Sequence, residues 1–542
     1  MLIKQKWWNT LSLCVFFILY ITALVLGLIA TLYYPISKTI VGVELFQLIK
    51  GQSLDILVGY WLEYWYAILG VLVLMYFVMK LYAKTNVLFS KKSALIHSFG
   101  LLLVIVFFAR GGIALKPLNS LDAYSALSSS EATTAITPLY VLLESYGKQE
   151  IEYTAFVDQN ELENEMKSDF RLYDSFQVSQ PNICIILLES FGKEYTGQNL
   201  ASRPSYTPFL DSLSSVSRNY TNAYANGLRS LDAVSSVMLG VPALMKQPYI
   251  GSLYTQSDIE SLPEVLAQKG YTSSFYHAAD ENSMGFKPFL YSQGLNKYVG
   301  RQQYDNDNDF DGTWGIYDEP FLQSFADDLS REQQPWFSAV FTLSSHHPYK
   351  VPTKYDGLKE GSLEIHKSVR YTDIALRNFF ARAKGKRWFE NTVFIVTADH
   401  TSANETKEHQ TYRGKYLVPL MIYSPKYVEP QQMDKAVQHI DIFSTVKHIG
   451  GVNSHVALGN SLLDSTSNSI THFDGSVYVY TNDSLTLEWN GAESIELYRY
   501  KEDPKQLNEL SDSYPKELAV MLRELKISIQ KYNYRLLNNY FQ

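Results

Sequence analysis

The sequence predicts an α/β domain on a largely parallel central sheet, preceded by an N-terminal transmembrane helical region. Three observations point there. Residues 1–116 hold three apolar stretches of the ~20-residue length that spans a bilayer. From Pro181 onward, short apolar runs alternate with helix-period segments, the mark of a parallel sheet with crossover helices. Three of those runs end in acids or histidines, side chains able to bind metal or move protons.

The first stretch, about Leu11 to Tyr33, carries no charge; the second, about Ile56 to Met79, carries only Glu63; the third, about Ser93 to Leu115, is broken by Arg110. A cleavable leader is a poor reading of the first, which is too long and lacks a small-residue cleavage site. Val41 to Lys50 is too short to span and reads as an interfacial segment or loop. Lys4 and Lys6 precede the first span, and Lys80, Lys84, Lys91 and Lys92 separate the second from the third. By the positive-inside rule these segments are cytoplasmic, so the chain after Lys116 is expected on the outer face.

Three segments follow: a transmembrane region of about three helices over 1–116, a Ser/Thr-rich extracytoplasmic connector over 117–180, and a catalytic-type domain over 181–542. The charge divides the same way. Residues 1–116 hold 10 basic and 3 acidic residues, leaving 37 basic and 52 acidic for the rest. The overall net charge of -8 and mean hydropathy of -0.12 therefore average a basic, lipid-embedded anchor with a strongly acidic outer part. That acidity excludes nucleic acid as the main partner. Two cysteines, Cys14 and Cys184, exclude a disulfide scaffold and a multi-cysteine zinc module.

The runs that end in reactive side chains are Asn182 to Ser190 (NICIILLES), Trp336 to Tyr349 (WFSAVFTLSSHHPY) and Asn391 to His400 (NTVFIVTADH). They deliver Glu189, the pair His346–His347, and Asp399–His400. Ligands of open α/β sheets bind at the carboxyl ends of strands, so these groups are expected to converge. A lone strand-ending acid is often a helix cap; histidines at the same ends are not needed for capping. Between the first two runs, Gly227 precedes Arg229–Ser230 and a helical run to Leu239. Such a turn sets a hydroxyl at a helix N-terminus, where N–H groups and the dipole favour phosphate. Local sequence alone favours a plain serine cap.

The order LLES, NGLRSLDA, SSHHPY and TADH behind a membrane region resembles the lipoteichoic acid synthase family, phosphoglycerol transferases of the alkaline phosphatase/sulfatase superfamily. The segments RGGIALKPLNSLDA and ELYRYKEDPKQLNELSDSYPKEL are similar to the family's as well. The resemblance implies a sulfatase-like domain whose Glu189, Ser230, Asp399 and His400 hold one divalent cation, Mn²⁺ or Mg²⁺. It implies Ser230 as nucleophile, where the family commonly has Thr, and His346 on the phosphate or leaving group; the positive Arg229 beside Ser230 is suited to neutralise charge on the phosphoryl oxygens. A hydroxyl needs such activation at neutral pH, and two carboxylates with an imidazole suit Mn²⁺. No Cys-x-Pro-x-Arg sequence supports formylglycine chemistry.

The family holds its substrate head group with Asp, Trp and Arg after a His-Gly segment; here FYHAADENSMGFKPF keeps His277 and aligns Ala279, Met284 and Phe286. Asp280 or Glu281 stands as a substitute acid. His277, His347 and His409 are the remaining substrate-binding candidates. Asp307, Asp309, Asp311 and Asp318 fall at EF-hand-like spacing, but Asp ends the loop and Trp314 stands where a small apolar residue is usual; the resemblance, which has a WG..D helix start here, implies Asp318 as an N-cap, so a solvated loop before a helix is the preferred reading over calcium. The expected function is transfer of a phosphoglycerol-type group from a membrane phospholipid such as phosphatidylglycerol to an envelope glycan or lipid acceptor, at the cytoplasmic membrane of a bacterium. The alternatives are a phosphodiesterase or phosphatase using the same site, and a non-enzymatic tethered binding protein.

Overall fold

The structure, a computed structural model, describes residues 150–539 apart from 174–175, 177–179, 198–204, 453, 457 and 465–468, together with 119–127 and isolated positions before 150. The chain divides into two compact units, Met1–Gln149 and Glu150–Gln542. The three predicted spans and the lysines that orient them lie largely outside the described residues. Positions within the spans that are described are helical, and Leu69, Val73, Tyr76, Phe77, Phe99, Leu103, Val104 and Phe107 leave their apolar side chains exposed. Among the described residues, no helix is long and apolar enough to cross a membrane.

The larger unit is built on an eight-stranded sheet. In chain order its strands are β1 (Asn182–Leu188), β2 (Arg218–Tyr224), β3 (Thr272–His277), β4 (Lys297–Val299), β5 (Trp336–Phe341), β6 (Thr392–Ala398), β7 (Leu420–Tyr423) and β8 (Gln431–Gln438). They lie side by side as β4-β3-β5-β1-β6-β7-β2-β8. Only β7 runs against the others. The helices that matter below are α1 (Gln159–Lys167), α2 (Ser230–Leu239), α3 (Asp318–Asp328), α4 (Ile365–Ala383), α5 (His439–Ile449) and α6 (Pro515–Asn538).

The central strands are apolar throughout because both faces are covered. Every residue of β1, β5 and β6 is buried. Cys184, Ile186, Leu188, Phe394, Val396 and Ala398 meet Phe321 and Phe325 of α3 and Val369, Leu376 and Phe379 of α4 in one core. Because β1 sits between β5 and β6 in parallel register, the carboxyl ends of all three emerge side by side. The predicted run from Trp336 to Tyr349 is strand only as far as Phe341, so His346 and His347 stand on the turn beyond.

A second sheet, β9 (Ile470–Phe473), β10 (Tyr478–Thr481), β11 (Thr486–Trp489) and β12 (Ile495–Tyr498), is antiparallel in sequence order. Its Leu487, Trp489 and Leu497 pack on Met521, Leu525 and Ile529 of α6. The aromatic-rich tail therefore folds back on the domain, with Tyr532 buried. α1 joins it: Lys531 and Arg535 of α6 bind Asp169, at 2.5 and 2.7 Å.

Candidate active site

The site starts where β1 and β6 run out. Past Leu188, the Glu189 N–H donates to Thr342 Oγ1 (2.9 Å), and its carbonyl accepts from Ser345 Oγ (2.5 Å), pinning it to the exit of β5. Ser190 takes a positive φ of 59°, and its hydroxyl donates to Glu189 Oε1 (2.6 Å). The parallel pairing continues one step beyond β6, where the Asp399 N–H donates to the Leu188 carbonyl at 3.1 Å.

Asp399 Oδ1 accepts two N–H groups, from Ser190 and His400, each at 2.7 Å. Its Oδ2 is buried without a hydrogen-bond partner among the described residues and lies 3.2 Å from His400 Nε2. His400 Nδ1 stands 2.9 Å from the Thr401 carbonyl, an acceptor only, so the ring proton sits on Nδ1 and Nε2 faces the carboxylates. Ligand atoms of Glu189, Asp399 and His400 all lie within 4.8 Å of one another. Burial, then the Asp399 carboxylate, pushes the Glu189 carboxyl above its ordinary range. Burial lowers the His400 pKa, but Asp399 and Glu189 outweigh it and raise the ring above its ordinary value. Two buried carboxylates, one orphaned oxygen and an oriented imidazole fit a single hard divalent cation, whose charge would relieve their mutual repulsion.

Ser230 is the first residue of α2, with Oγ 3.5 Å from Glu189 Oε2 and 3.4 Å from His400 Nε2. Its place depends on the turn before it. A Cβ on Gly227 would fall 2.3 Å from Cβ of Asp232, so glycine lets that buried acid close under the helix start. Asp232 in turn grips Arg229 Nε and Nη2 at 2.8 and 3.1 Å, while Arg229 Nη1 donates to the Lys246 carbonyl at 3.1 Å. The guanidinium is thus anchored as a bracket, with 41% of the Arg229 side chain still open to solvent.

His346 follows Ser345 on the turn after β5, with its Nδ1 3.0 Å from the His347 carbonyl. The Trp314 ring packs edge-on against it at 4.4 Å, and Trp314 Nε1 donates to the same His347 carbonyl at 2.6 Å. The loop that presents Trp314 is tightly built. Asp311 Oδ1 accepts the N–H groups of Thr313, Trp314 and Gly315, and a Cβ on Gly315 would strike the Ala278 carbonyl at 2.2 Å. The sequence showed Trp314 only as an oddity of an acidic loop; a large exposed aromatic beside a tight Asp turn was its signal.

The remaining candidates have their own surroundings. His277 is buried between Phe341 and Phe286, and burial, with His346, lowers it to about 3. His347 is exposed, its ring against Tyr349. His409 is buried with Nδ1 2.7 Å from Thr406 Oγ1, and burial lowers it to about 4. At the head-group positions Ala279 and Phe286 are buried and apolar. Asp280 accepts from Gln302 Nε2 at 2.5 Å, and Glu281 pairs with Lys287 at 2.7 Å.

The four aspartates of EF-hand-like spacing each have a separate partner. Asp307 pairs with Arg301, Asp309 accepts from the Tyr304 hydroxyl, and Asp311 caps its own turn. Asp318 was expected to cap the helix it begins. It is buried instead, and accepts from the Leu343 and Ser344 N–H groups and the Thr372 hydroxyl, fixing the turn that leads to His346.

The sulfatase family model matches residues 181–452, and the chain belongs to that family. It is 26% identical over 339 residues to a lipoteichoic acid synthase of Staphylococcus saprophyticus, a match covering 56% of this chain and 50% of that relative. It is 22% identical over 373 residues to phosphoglycerol transferase I of Escherichia coli O127:H6, covering 65% and 47%. The chain thus spans about half the length of these relatives. Its fold is similar to the crystal structure of the lipoteichoic acid synthase LtaP from Listeria monocytogenes, with a TM-score of 0.58 and 19% identity over 70% of this chain and 98% of that one.

Proposed function

We propose that this chain is a membrane-anchored, divalent-metal-dependent transferase of the bacterial cell surface, moving a phosphoglycerol-type group from a membrane phospholipid such as phosphatidylglycerol to a glycan or lipid acceptor. The observation that carries this reading is the Ser230 hydroxyl at the start of α2, facing Glu189 and His400. Glu189, Ser230, Asp399 and His400 would hold the cation, Mn²⁺ or Mg²⁺. When bound, the cation supplies the positive charge that favours a serine alkoxide over the hydroxyl.

Ser230 Oγ attacks the phosphorus, forming the P–O bond to serine while the P–O bond to diacylglycerol breaks. His346, on the rim of the site, donates the proton that the departing diacylglycerol oxygen takes. The α2 N-terminal N–H groups and the free N–H groups of Arg229 face charge that builds on the phosphoryl oxygens. An acceptor hydroxyl then attacks the phosphorus, gives up its proton to His346 and restores Ser230. Anchoring keeps the site near its lipid donor and raises the donor's effective concentration.

A hydrolase reading shares each of these residues and makes water the acceptor. The buried, apolar Ala279 and Phe286 at the positions aligned with the family's head-group contacts give glycerol phosphate no charged clamp, so they bear on the identity of the head group in both readings. Phosphatidylglycerol labelled in its head group separates the readings. A transferase places the label on a glycan or lipid product; free glycerol phosphate without such a product would sink that reading. A non-enzymatic tether predicts neither product nor a stoichiometric metal in the isolated outer unit.

A further inference from the structure

Arg229 stands where the start of a helix does not favour an arginine. It occupies the N-cap position of α2, extended at φ -135° and ψ 147°, and its side chain makes no cap hydrogen bond. Ser, Thr, Asp or Asn would accept an N–H of the first turn there, whereas a guanidinium has no acceptor to offer. The helix dipole also places partial positive charge at this end, which disfavours a cation. Both are local costs, and an anion bound at the helix start would offset them.

Asp232 is the other half of the arrangement. It is the third residue of α2, the position from which a capping-box acid reaches back to the N-cap N–H. Here it reaches the N-cap side chain instead, accepting from Arg229 Nε at 2.8 Å and from Nη2 at 3.1 Å. The carboxylate is buried, while the guanidinium side stays partly open to solvent. Two further contacts fix the pair. Glycine at 227 admits the Asp232 side chain, and the Lys246 carbonyl takes Arg229 Nη1 at 3.1 Å.

A guanidinium carries five N–H groups. Three are claimed by these contacts; among the described residues the other two, one on each Nη, have no acceptor. An arginine already held along one edge loses little further freedom when the rest of it binds an oxyanion. The next residue is Ser230, whose hydroxyl faces Glu189 and His400. The carboxylate thus sets the direction of the guanidinium beside the nucleophile.

We infer that Asp232 is a positioning residue of the site: it orients Arg229 so that the unclaimed N–H groups of Nη1 and Nη2 meet non-bridging oxygens of the phosphoryl group that Ser230 accepts. This rests on the transferase reading above and deepens it, adding a residue that acts on the phosphoryl group only through its neighbour.

The test is equilibrium binding of inorganic phosphate to the full chain, in detergent and loaded with Mn²⁺, across a double-mutant cycle of Arg229→Asn and Asp232→Asn. Each single change should weaken phosphate at least about tenfold, the scale of lost charge-assisted hydrogen bonds. The double variant should bind no more weakly than Arg229→Asn, because Asp232 then has nothing to orient. Thermal unfolding supplies the contrast with a merely structural role. Arg229→Asn leaves a buried carboxylate unpaired and should unfold at a lower temperature. The double variant, neutral and with a favoured cap residue, should return to about the wild-type midpoint without regaining phosphate binding. Full binding by Asp232→Asn would overturn the inference. So would losses that multiply in the double variant, the mark of a residue acting on its own, or no phosphate binding by the wild type. Labelling of Ser230 by phosphatidylglycerol, read on the wild-type chain, reports separately on the transferase reading, because phosphate binding needs no turnover.

Discussion

Two parts of the site are held in different ways. The Glu189–Asp399–His400 group hangs directly from β1 and β6, each residue within two positions of a strand end, fixed by the Asp399 N–H on the Leu188 carbonyl and by the Ser190 and His400 N–H groups on Asp399 Oδ1. The His346–Trp314 corner hangs from two loops, set by Asp311, Asp318 and the tight approach of Gly315 to Ala278. A strand end places a side chain through sheet register, which tolerates little change. A loop places it through a handful of replaceable polar contacts. Chemistry common to a family therefore belongs on the first kind of support, and substrate choice on the second.

The comparison breaks first at Ser230. Ser230→Ala should lower turnover by at least about 10³-fold, since removing a nucleophile leaves only binding and electrostatic assistance. The protein should keep its metal, because Glu189, Asp399 and His400 remain; metal analysis of the variant checks both parts. Next comes Asp399→Asn, which removes a ligand and leaves the buried Glu189 beside a neutral amide. Stoichiometric divalent metal should be lost with activity. The cation's stabilisation, about 2.7 kcal/mol at a hundredfold excess over its Kd, should vanish from thermal unfolding curves.

Gly227→Ala probes the support of α2. With its Cβ 2.3 Å from that of Asp232, the helix start must move, at a cost of about 1–3 kcal/mol. Turnover should fall with stability, in contrast to Ser230→Ala, which should unfold like the wild type. On the loop side, Trp314→Ala should cost about tenfold in turnover through misplacement of His346, and Trp314→Phe should recover most of it. If Trp314→Ala cost as much as Ser230→Ala, the division of labour would be wrong.

The smallest effect lies outside the site. Lys415 pairs with Asp474 at 2.7 Å, just past the end of β9. Burial alone would raise the Asp474 carboxyl, but Lys415 and the Val477 and Ser476 contacts hold it at about 2. A depressed carboxyl stabilises above its unfolded pKa of roughly 3.9, and that stability is lost as pH falls toward 2. After discounting for solvent screening, Asp474→Asn should remove about 1 kcal/mol near neutrality and flatten unfolding free energy between about pH 4 and 2.

The same contrast governs what could be read from the sequence. Glu189, Asp399 and His400 were legible because apolar strands announce their own ends, and parallel register brings neighbouring ends together. Ser230 was legible as a helix start, though not as more than a cap until its neighbours were in place. Trp314 was hidden, because nothing local says that a loop before α3 will meet a turn after β5. Asp318 misled for a related reason: the residue that begins a helix need not cap it, and this one reaches across to Leu343 and Ser344. The spans before residue 117 rest on hydropathy and lysine placement.

The central claim is that Ser230 carries the transferred group. Mass analysis of the full chain after incubation with phosphatidylglycerol vesicles and Mn²⁺ tests it most directly. The account predicts a phosphoglycerol adduct on the peptide containing Ser230, absent from Ser230→Ala. Turnover without that adduct, or full turnover by Ser230→Ala, would contradict it.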